Sequence, residues 1–333
     1  MPTNSNEDGQ GVVYRKTTGH YTVRANGREI DCELSSLIRK QLIYPIADPT
    51  SLRHNVREVR EIEHADPVAI GDRVRFIDAG DGTGLINEVL PRRSRLSRPA
   101  PGYGASEQVI VANADQVIPV FAAASPPPKW SLLDRYLVSA EASGLPSLVV
   151  ITKLDLAGND RQLDEALDIY RRAGYPVRRV SAVTGEGLDE LRQDLLGRTS
   201  VLVGKSGVGK TTLLNALQPG LGLRVREVGR GGQGKGRHTT THLEMFDLDF
   251  GGAVVDTPGM REFGLWDVRD GDLALFFPEM AGYVGRCRFG LSCRHDEEPG
   301  CAVRKAVMAG QVSPQRYQSY VRLSGELSPK RTP

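Results

Sequence analysis

Hydrophobic and polar positions change rhythm twice along this chain. Over residues 11–90 the period is two. Tyr21 and Val23, then Ile30, Cys32 and Leu34, alternate with polar neighbours around Asn26-Gly27, a pair that accepts the positive φ angles of a tight hairpin turn. Further short strands are predicted at 73–77 and 85–89, separated by a turn-rich stretch. Short strands in this number predict a small barrel or sandwich. From Asp115 the texture becomes alternating strand and helix. Apolar runs at 117–122, 148–151, 176–180, 199–203, 243–248 and 253–256 read as strands. Trp130, Leu133, Tyr136, Leu137 and Ala140 recur at helical spacing, and further helices are predicted at 161–173, 187–196 and 211–217. That alternation predicts a mostly parallel, doubly wound sheet covered on both faces. Beyond about residue 265 lies a third region, with a helix around 314–323.

Composition narrows the class without naming a function. The 333 residues are 39% hydrophobic and 25% charged, ordinary for two or three folded domains. No apolar run approaches the roughly 18 residues that span a bilayer, so a membrane protein is not expected. Residues 1–10 lack the basic start and apolar stretch of a secretory signal and read as a disordered tail; a cytoplasmic setting is expected. Net charge is only +2, yet it is unevenly spread. Arg92, Arg93, Arg95 and Arg98 occur with no acid among them, which reads as a solvated linker or a phosphate-contacting arm. Arg224, Arg226, Arg230, Lys235 and Arg237 face only Glu227, a second sign of an RNA partner. Cys32 reads as a buried apolar residue on a strand.

The chemistry concentrates in short motifs. Gly204, Lys205, Ser206, Gly207, Val208, Gly209, Lys210 and Thr211 form a complete phosphate-loop pattern, placed after a strand and before a helix that continues with Thr212. Its glycines let backbone N–H groups curl around a β-phosphate, Lys210 reaches the β and γ oxygens, and the Thr211 hydroxyl suits Mg²⁺. This loop alone leaves ATPase, GTPase and small-molecule kinase open. Thr152, Lys153, Leu154 and Asp155 follow a strand, and Asp155 could accept from guanine N1–H and N2–H₂ together, which adenine cannot match. Ser181-Ala182, one strand later, resembles a segment that contacts guanine O6. Asp256-Thr-Pro-Gly259 ends a strand and reads as a β-turn or, by its resemblance to the D-x-x-G segment, as a switch in which Asp256 would hold Mg²⁺ through water and the Gly259 N–H would meet the γ-phosphate. Thr240, in the 239–241 run of threonines, suits the third Mg²⁺ position. Cys287, Cys293, His295 and Cys301 offer three thiolates and an imidazole, a closed tetrahedral set for a structural Zn²⁺.

The motifs run base reader, base reader, phosphate loop, switch one, switch two, a circular permutation of the usual GTPase order. With the 229–241 stretch GRGGQGKGRHTTT and the 256–266 stretch DTPGMREFGLW, the chain resembles the RsgA (YjeQ/YloQ) family of circularly permuted GTPases that depend on the small ribosomal subunit. The resemblance covers roughly residues 11–323. It implies an OB-fold RNA-binding domain at 11–92, a basic linker at 93–114, the permuted GTPase at 115–264 and a mostly helical zinc-binding domain at 265–333. It also implies GTP hydrolysis to GDP and phosphate, a late role in 30S maturation, and a monomer that binds the 30S subunit and its 16S rRNA. Five residues separate Cys287 from Cys293, one more than is usual in that family. Small GTPases place a Gln after the D-x-x-G segment to orient water, but Met260 stands there, as is expected in that family. His238 is the candidate replacement, beside the glycine-rich stretch 229–236. Gly207 occupies the position where some GTPases carry a K⁺-binding Asn.

Overall fold

The computed structural model describes residues 7–17, 19–39, 46–47, 56–58, 66–100, 107–158, 160–223, 243–257 and 265–327. The N-terminal region contains β1 (Glu7–Thr17), β2 (His20–Ala25), β3 (Arg28–Leu34), the single turn α1 (Ser36–Arg39), the short β4 (Ile46–Ala47) and β5 (Val56–Glu58), β6 (Arg73–Asp78) and β7 (Thr83–Val89). Five of these close into a barrel. β1 pairs antiparallel with β2, β2 with β3, β6 with β7 and β1 with β6, while β3 and β7 run parallel. The hairpin at Asn26-Gly27 forms as its residues predict, with φ of 50° and 75°. Closure requires β1 to serve two neighbours, its first half on β6 and its second on β2, with a bulge between Val13 and Arg15. Gly11 sits at this change of partner. A Cβ there would lie 2.5 Å from Val23 and 2.8 Å from the Arg24 carbonyl, so only glycine allows the approach.

Two boundaries differ from the sequence reading. Strand β1 begins at Glu7, inside the stretch expected to be a tail, because Asp8, Gly9 and Gln10 pair with Ile77, Phe76 and Arg75. The stretch 93–114, expected as a basic linker, instead carries an antiparallel pair, β8 (Arg95–Pro99) and β9 (Glu107–Ala112). Three of the four arginines in the 92–98 run are matched across space by acids the local sequence does not show, while Arg98 donates to the Gln108 side chain at 2.8 Å. Arg92 grips the fully buried Asp72 bidentately at 2.7 Å, Arg93 meets Asp115 at 3.2 Å and Arg95 meets Glu107 at 3.0 Å. Arg92, Arg93 and Arg95 are thus held in ion pairs within the fold, which counts against a free phosphate-contacting arm at those three positions.

That region contains β10 (Gln116–Ala122), α2 (Trp130–Ala142), β11 (Val149–Thr152), α3 (Arg161–Arg172), β12 (Val177–Arg179), α4 (Leu188–Leu195), β13 (Thr199–Val203), α5 (Lys210–Leu217), β14 (Glu244–Asp247) and β15 (Ala253–Asp256). The sheet order is β12-β11-β10-β13-β15-β14, parallel except for the last pair. β10 and β11 are buried at every position, as strands covered on both faces must be. The edge strand β14 does not end the sheet. Arg15 of β1 pairs with Glu244, and side chains reinforce the seam: Tyr14 donates to Asp247, Arg24 pairs with the same carboxylate, and the Arg24 guanidinium lies 4.1 Å from the Tyr14 ring. Among the described residues, barrel and parallel sheet thus form one 11-stranded sheet.

The C-terminal region is helical, with α6 (Pro278–Ala281), α7 (Ala302–Met308) and α8 (Pro314–Leu327). It shares a core with α2 through Val138. On α8, Arg316 is fully buried, 2.8 Å from the equally buried Asp134 of α2, 2.6 Å from Glu279, and 4.6 Å from the Phe277 ring centre. Among the described residues no helix is long and apolar enough to cross a membrane.

Candidate functional site

The phosphate loop leaves β13 and enters α5 at the carboxyl edge of the parallel strands, where such sheets expose their crevice. Gly204 is packed under β10: a Cβ would lie 2.4 Å from the Val120 carbonyl. Gly207 and Gly209 have φ of 83° and 95°, so the loop turns where glycine alone is unstrained. Lys205 and Gly207 are half-buried, Ser206 is exposed and Val208 buried; Thr211 is half-buried and Thr212 exposed at the start of α5. The Lys210 ammonium donates to the Gly204 carbonyl at 2.6 Å and to that of Lys205 at 3.3 Å, curling back into its own loop.

The guanine-reading candidates converge on this loop. The Thr152 hydroxyl donates to the Val208 carbonyl and, at 3.2 Å, to that of Phe121. Lys153, in left-handed backbone with φ of 56°, donates to the Gly207 carbonyl at 2.7 Å and to the Ser125 carbonyl. Strand β11 is therefore tied to the phosphate loop by side chains. Leu154 is half-buried, and Asp155 is exposed with one carboxylate oxygen accepting from the Ser181 hydroxyl at 2.6 Å. Ser181 is fully buried and also accepts from the N–H groups of Val183 and Thr184. It thus fixes both Asp155 and the turn that carries the half-buried Ala182.

Asp256 ends β15 beside the loop. Its Oδ1 is buried with no hydrogen-bond partner among the described residues. Burial pushes this carboxyl above the usual range despite the attraction of Lys210, and burial depresses Lys210 despite the attraction of Asp256. An unpartnered buried carboxylate oxygen next to a phosphate loop is what a divalent cation ligand, direct or through water, looks like before the cation arrives. Thr257 is tied off by its hydroxyl bond to the Leu202 carbonyl at 2.7 Å. His238, Thr240, Gly259, Met260 and the basic residues of 224–237 lie outside the described residues.

The second centre is in the C-terminal region. Ligand atoms of Cys287, Cys293, His295 and Cys301 all lie within 4.8 Å of one another, and all four residues are buried. Cys287 and Cys301 are 3.9 Å apart, and His295 Nδ1 stands 3.4 Å and 3.5 Å from their sulfurs. A tetrahedral zinc with bonds of about 2.3 Å to sulfur and about 2.05 Å to nitrogen requires edges of roughly 3.8 Å and 3.6 Å. The cluster therefore fits a tetrahedral metal. Burial pushes the Cys293 thiol up to about 12 and raises Cys301, while burial depresses His295 and favours its neutral, ligating form. Only a cation makes three ionised sulfurs tolerable there. The N–H groups of Ala302 and Arg304 point at Cys287 and Cys301 sulfurs (3.2 and 3.4 Å), and Tyr317 and Tyr320 donate to the carbonyls of His295 and Arg294. Cys32 is fully buried in the barrel, its thiol pushed up to about 12 by burial.

Sequence reasoning missed Ser125 as a partner of Lys153, and the Asp134–Arg316–Glu279 cluster. The second left a signal: Asp134 lies four residues after Trp130 and three before Leu137, on the apolar stripe of α2, where an unpaired acid is costly.

Known proteins place this arrangement. A family model described as RsgA GTPase matches residues 89–266. The small ribosomal subunit biogenesis GTPase RsgA of Gemmatimonas aurantiaca is 48% identical over 269 residues, 80% of this chain and 87% of that protein. The protein of the same name from Bacteroides fragilis is 36% identical over 315 residues, 94% of this chain and 95% of its own. Among solved structures, YjeQ from Thermotoga maritima superposes with a TM-score of 0.73 at 32% identity, covering 98% of this chain and 100% of that one. YloQ, described as a circularly permuted GTPase, gives 0.68 at 28% identity, covering 100% and 99%.

Proposed function

This chain belongs to the RsgA GTPase family and is a GTP hydrolase of small-ribosomal-subunit biogenesis, and we propose that its nucleotide cycle times a late association with the 30S subunit. The observation that carries this reading is the tie between β11 and the phosphate loop. Thr152 and Lys153 hold carbonyls of Val208 and Gly207, so motifs more than 50 residues apart in the chain build one guanosine pocket. In it Asp155 reads the guanine edge, held by Ser181 with Ala182 beside it. Leu154 and Lys153 flank the base. The loop from Gly204 to Thr212 cradles the phosphates, and Lys210 leaves the Gly204 carbonyl for the β and γ oxygens. Thr211, Asp256 and Thr240 would hold Mg²⁺, which neutralises charge on those oxygens when bound. The Gly259 N–H meets the γ-phosphate and His238 orients the attacking water. Zn²⁺ on Cys287, Cys293, His295 and Cys301 is structural. The protein works as a cytoplasmic monomer, and its barrel lies against 16S rRNA.

The test is GTP turnover with and without 30S subunits. A stimulated rate is expected, together with displacement of a fluorescent GDP analogue by GTP and not by ATP. Equal rates would leave a nucleotide-gated RNA adaptor as the better description, and displacement by ATP would favour a kinase. Within this scheme His238→Ala lowers stimulated turnover at least tenfold and leaves GDP affinity intact; an unchanged rate removes His238 from the mechanism.

A further inference from the structure

A cavity of about 200 Å³ lies where the phosphate loop, the start of α2 and one side of α8 meet. Its rim is cationic: Lys129 and Arg135 come from the α2 side, Lys205 from the phosphate loop and Arg322 from α8. The one acid lining it, Glu326, is already paired with Arg135. Among the described residues neither Lys129, Lys205 nor Arg322 has an acidic partner. Elsewhere the same sheet matches its arginines closely, as in Arg178 with Asp194 and Arg179 with Asp164. Three unmatched cations around one hollow repel each other, and the arrangement gains free energy when an anion enters.

We propose that this groove binds phosphates of an RNA backbone. Resting on the reading of the chain as a small-subunit GTPase, it names where RNA touches the nucleotide machinery. Cations from three separate elements suit a run of backbone phosphates better than a single ion, and lysine and arginine heads give affinity without reading bases. Lys205 makes the site consequential. Its side chain lines the groove while its own carbonyl accepts from Lys210 at 3.3 Å. A phosphate that draws Lys205 outward shifts a carbonyl that now holds the Lys210 ammonium inside the loop. RNA in the groove thereby promotes release of Lys210 toward nucleotide phosphates.

The experiment uses the full chain and a fluorescein-labelled 12-nucleotide single-stranded RNA, titrated at several salt concentrations. Lys129→Ala/Arg322→Ala is expected to weaken RNA binding at least tenfold and to reduce the salt slope by about 1 to 2. Arg304→Ala/Lys305→Ala, on the exposed part of α7, serves as the charge control and is expected to change little. Equal losses in both variants, or none in the groove variant, overturn the proposal. So does displacement of the RNA by inorganic phosphate or by polyglutamate at matched ionic strength, which would indicate a free-phosphate or an acidic-protein site. Turnover separates this proposal from the broader reading. With 30S subunits the groove variant is expected to lose most of the stimulation while its intrinsic rate stays unchanged. If the wild type is not stimulated but the groove variant still loses RNA affinity, the subunit-dependent reading fails and the groove stands.

Discussion

The nucleotide pocket and the Cys/His centre are both built from short motifs, yet they are held in opposite ways. The pocket is scaffolded before any ligand arrives. β10, β11, β13 and β15 set the strand ends, Thr152 and Lys153 spend their polar groups on backbone carbonyls, and Ser181 holds Asp155 and its own turn. In the Cys/His centre a bound metal would itself be the scaffold. Its loops carry a left-handed His295 and two short 3₁₀ or α segments, and its four ligand side chains converge on one another. A parallel sheet can therefore keep a binding loop in shape without its ligand, whereas a small helical module with four converging ligand side chains would rely on metal and on what it docks against.

The sharpest way to break this comparison is to remove the metal. Cys301→Ser is expected to lose one equivalent of zinc by elemental analysis. Amide protection should be lost across residues 287–308, because structural zinc in small peptides is worth ~10–16 kcal/mol apparent. Binding of a fluorescent GDP analogue should persist. If the pocket collapses together with the metal centre, the two are one cooperative unit and the contrast is wrong.

Next in size is the joint between the regions. Arg316→Met leaves Asp134 and Glu279 without their buried cation, which costs about 3–5 kcal/mol in urea unfolding at neutral pH. Full metal content is expected to remain. A loss under 1 kcal/mol would mean that the apolar contacts of Val138, Phe277 and Tyr320 carry the joint by themselves.

What was legible in the sequence follows the same division. The phosphate loop, the strand-end motifs and the metal set are local signals, each within about 15 residues, and the alternating rhythm predicted a mostly parallel sheet. The long-range pairings were not legible. Nothing near Arg92 reveals that it meets Asp72, and nothing in β14 reveals that Glu244 pairs with Arg15 of the barrel. The arginine run read as free charge because its acids lie 12 to 22 positions away along the chain. The apolar stripe of α2 marks Asp134 as needing a partner, but nothing local names Arg316, 182 positions away.

A smaller effect sharpens the pocket side. Asp155→Ala removes the carboxylate that Ser181 orients and leaves the guanine N1–H and N2–H₂ without an acceptor. GDP affinity is expected to fall at least a hundredfold, about 2.7 kcal/mol by calorimetry, with stability nearly unchanged because Asp155 is exposed. A loss of stability as large as the loss of affinity would show that the pocket is not scaffolded independently of its own readers.

The smallest effect tests whether the pocket is ready for a cation. Burial raises the Asp256 carboxyl even after the attraction of Lys210 is counted, so the folded protein without nucleotide binds that proton more tightly than the unfolded chain. Between the ordinary carboxylate range and the raised folded value, the native state holds the extra proton, and stability falls as pH rises through that window. Above it the ionised group is a standing cost. Asp256→Asn is therefore expected to stabilise the nucleotide-free protein by about 1 kcal/mol at pH 7.5. The gain should vanish below about pH 3, where wild-type Asp256 is protonated in both states. With Mg²⁺ and GTP the order reverses, because the variant lacks the carboxylate that the cation would use. Equal stability of the two proteins at pH 7.5 would mean that Lys210 already neutralises Asp256, and the orphaned oxygen would no longer mark a site prepared for metal.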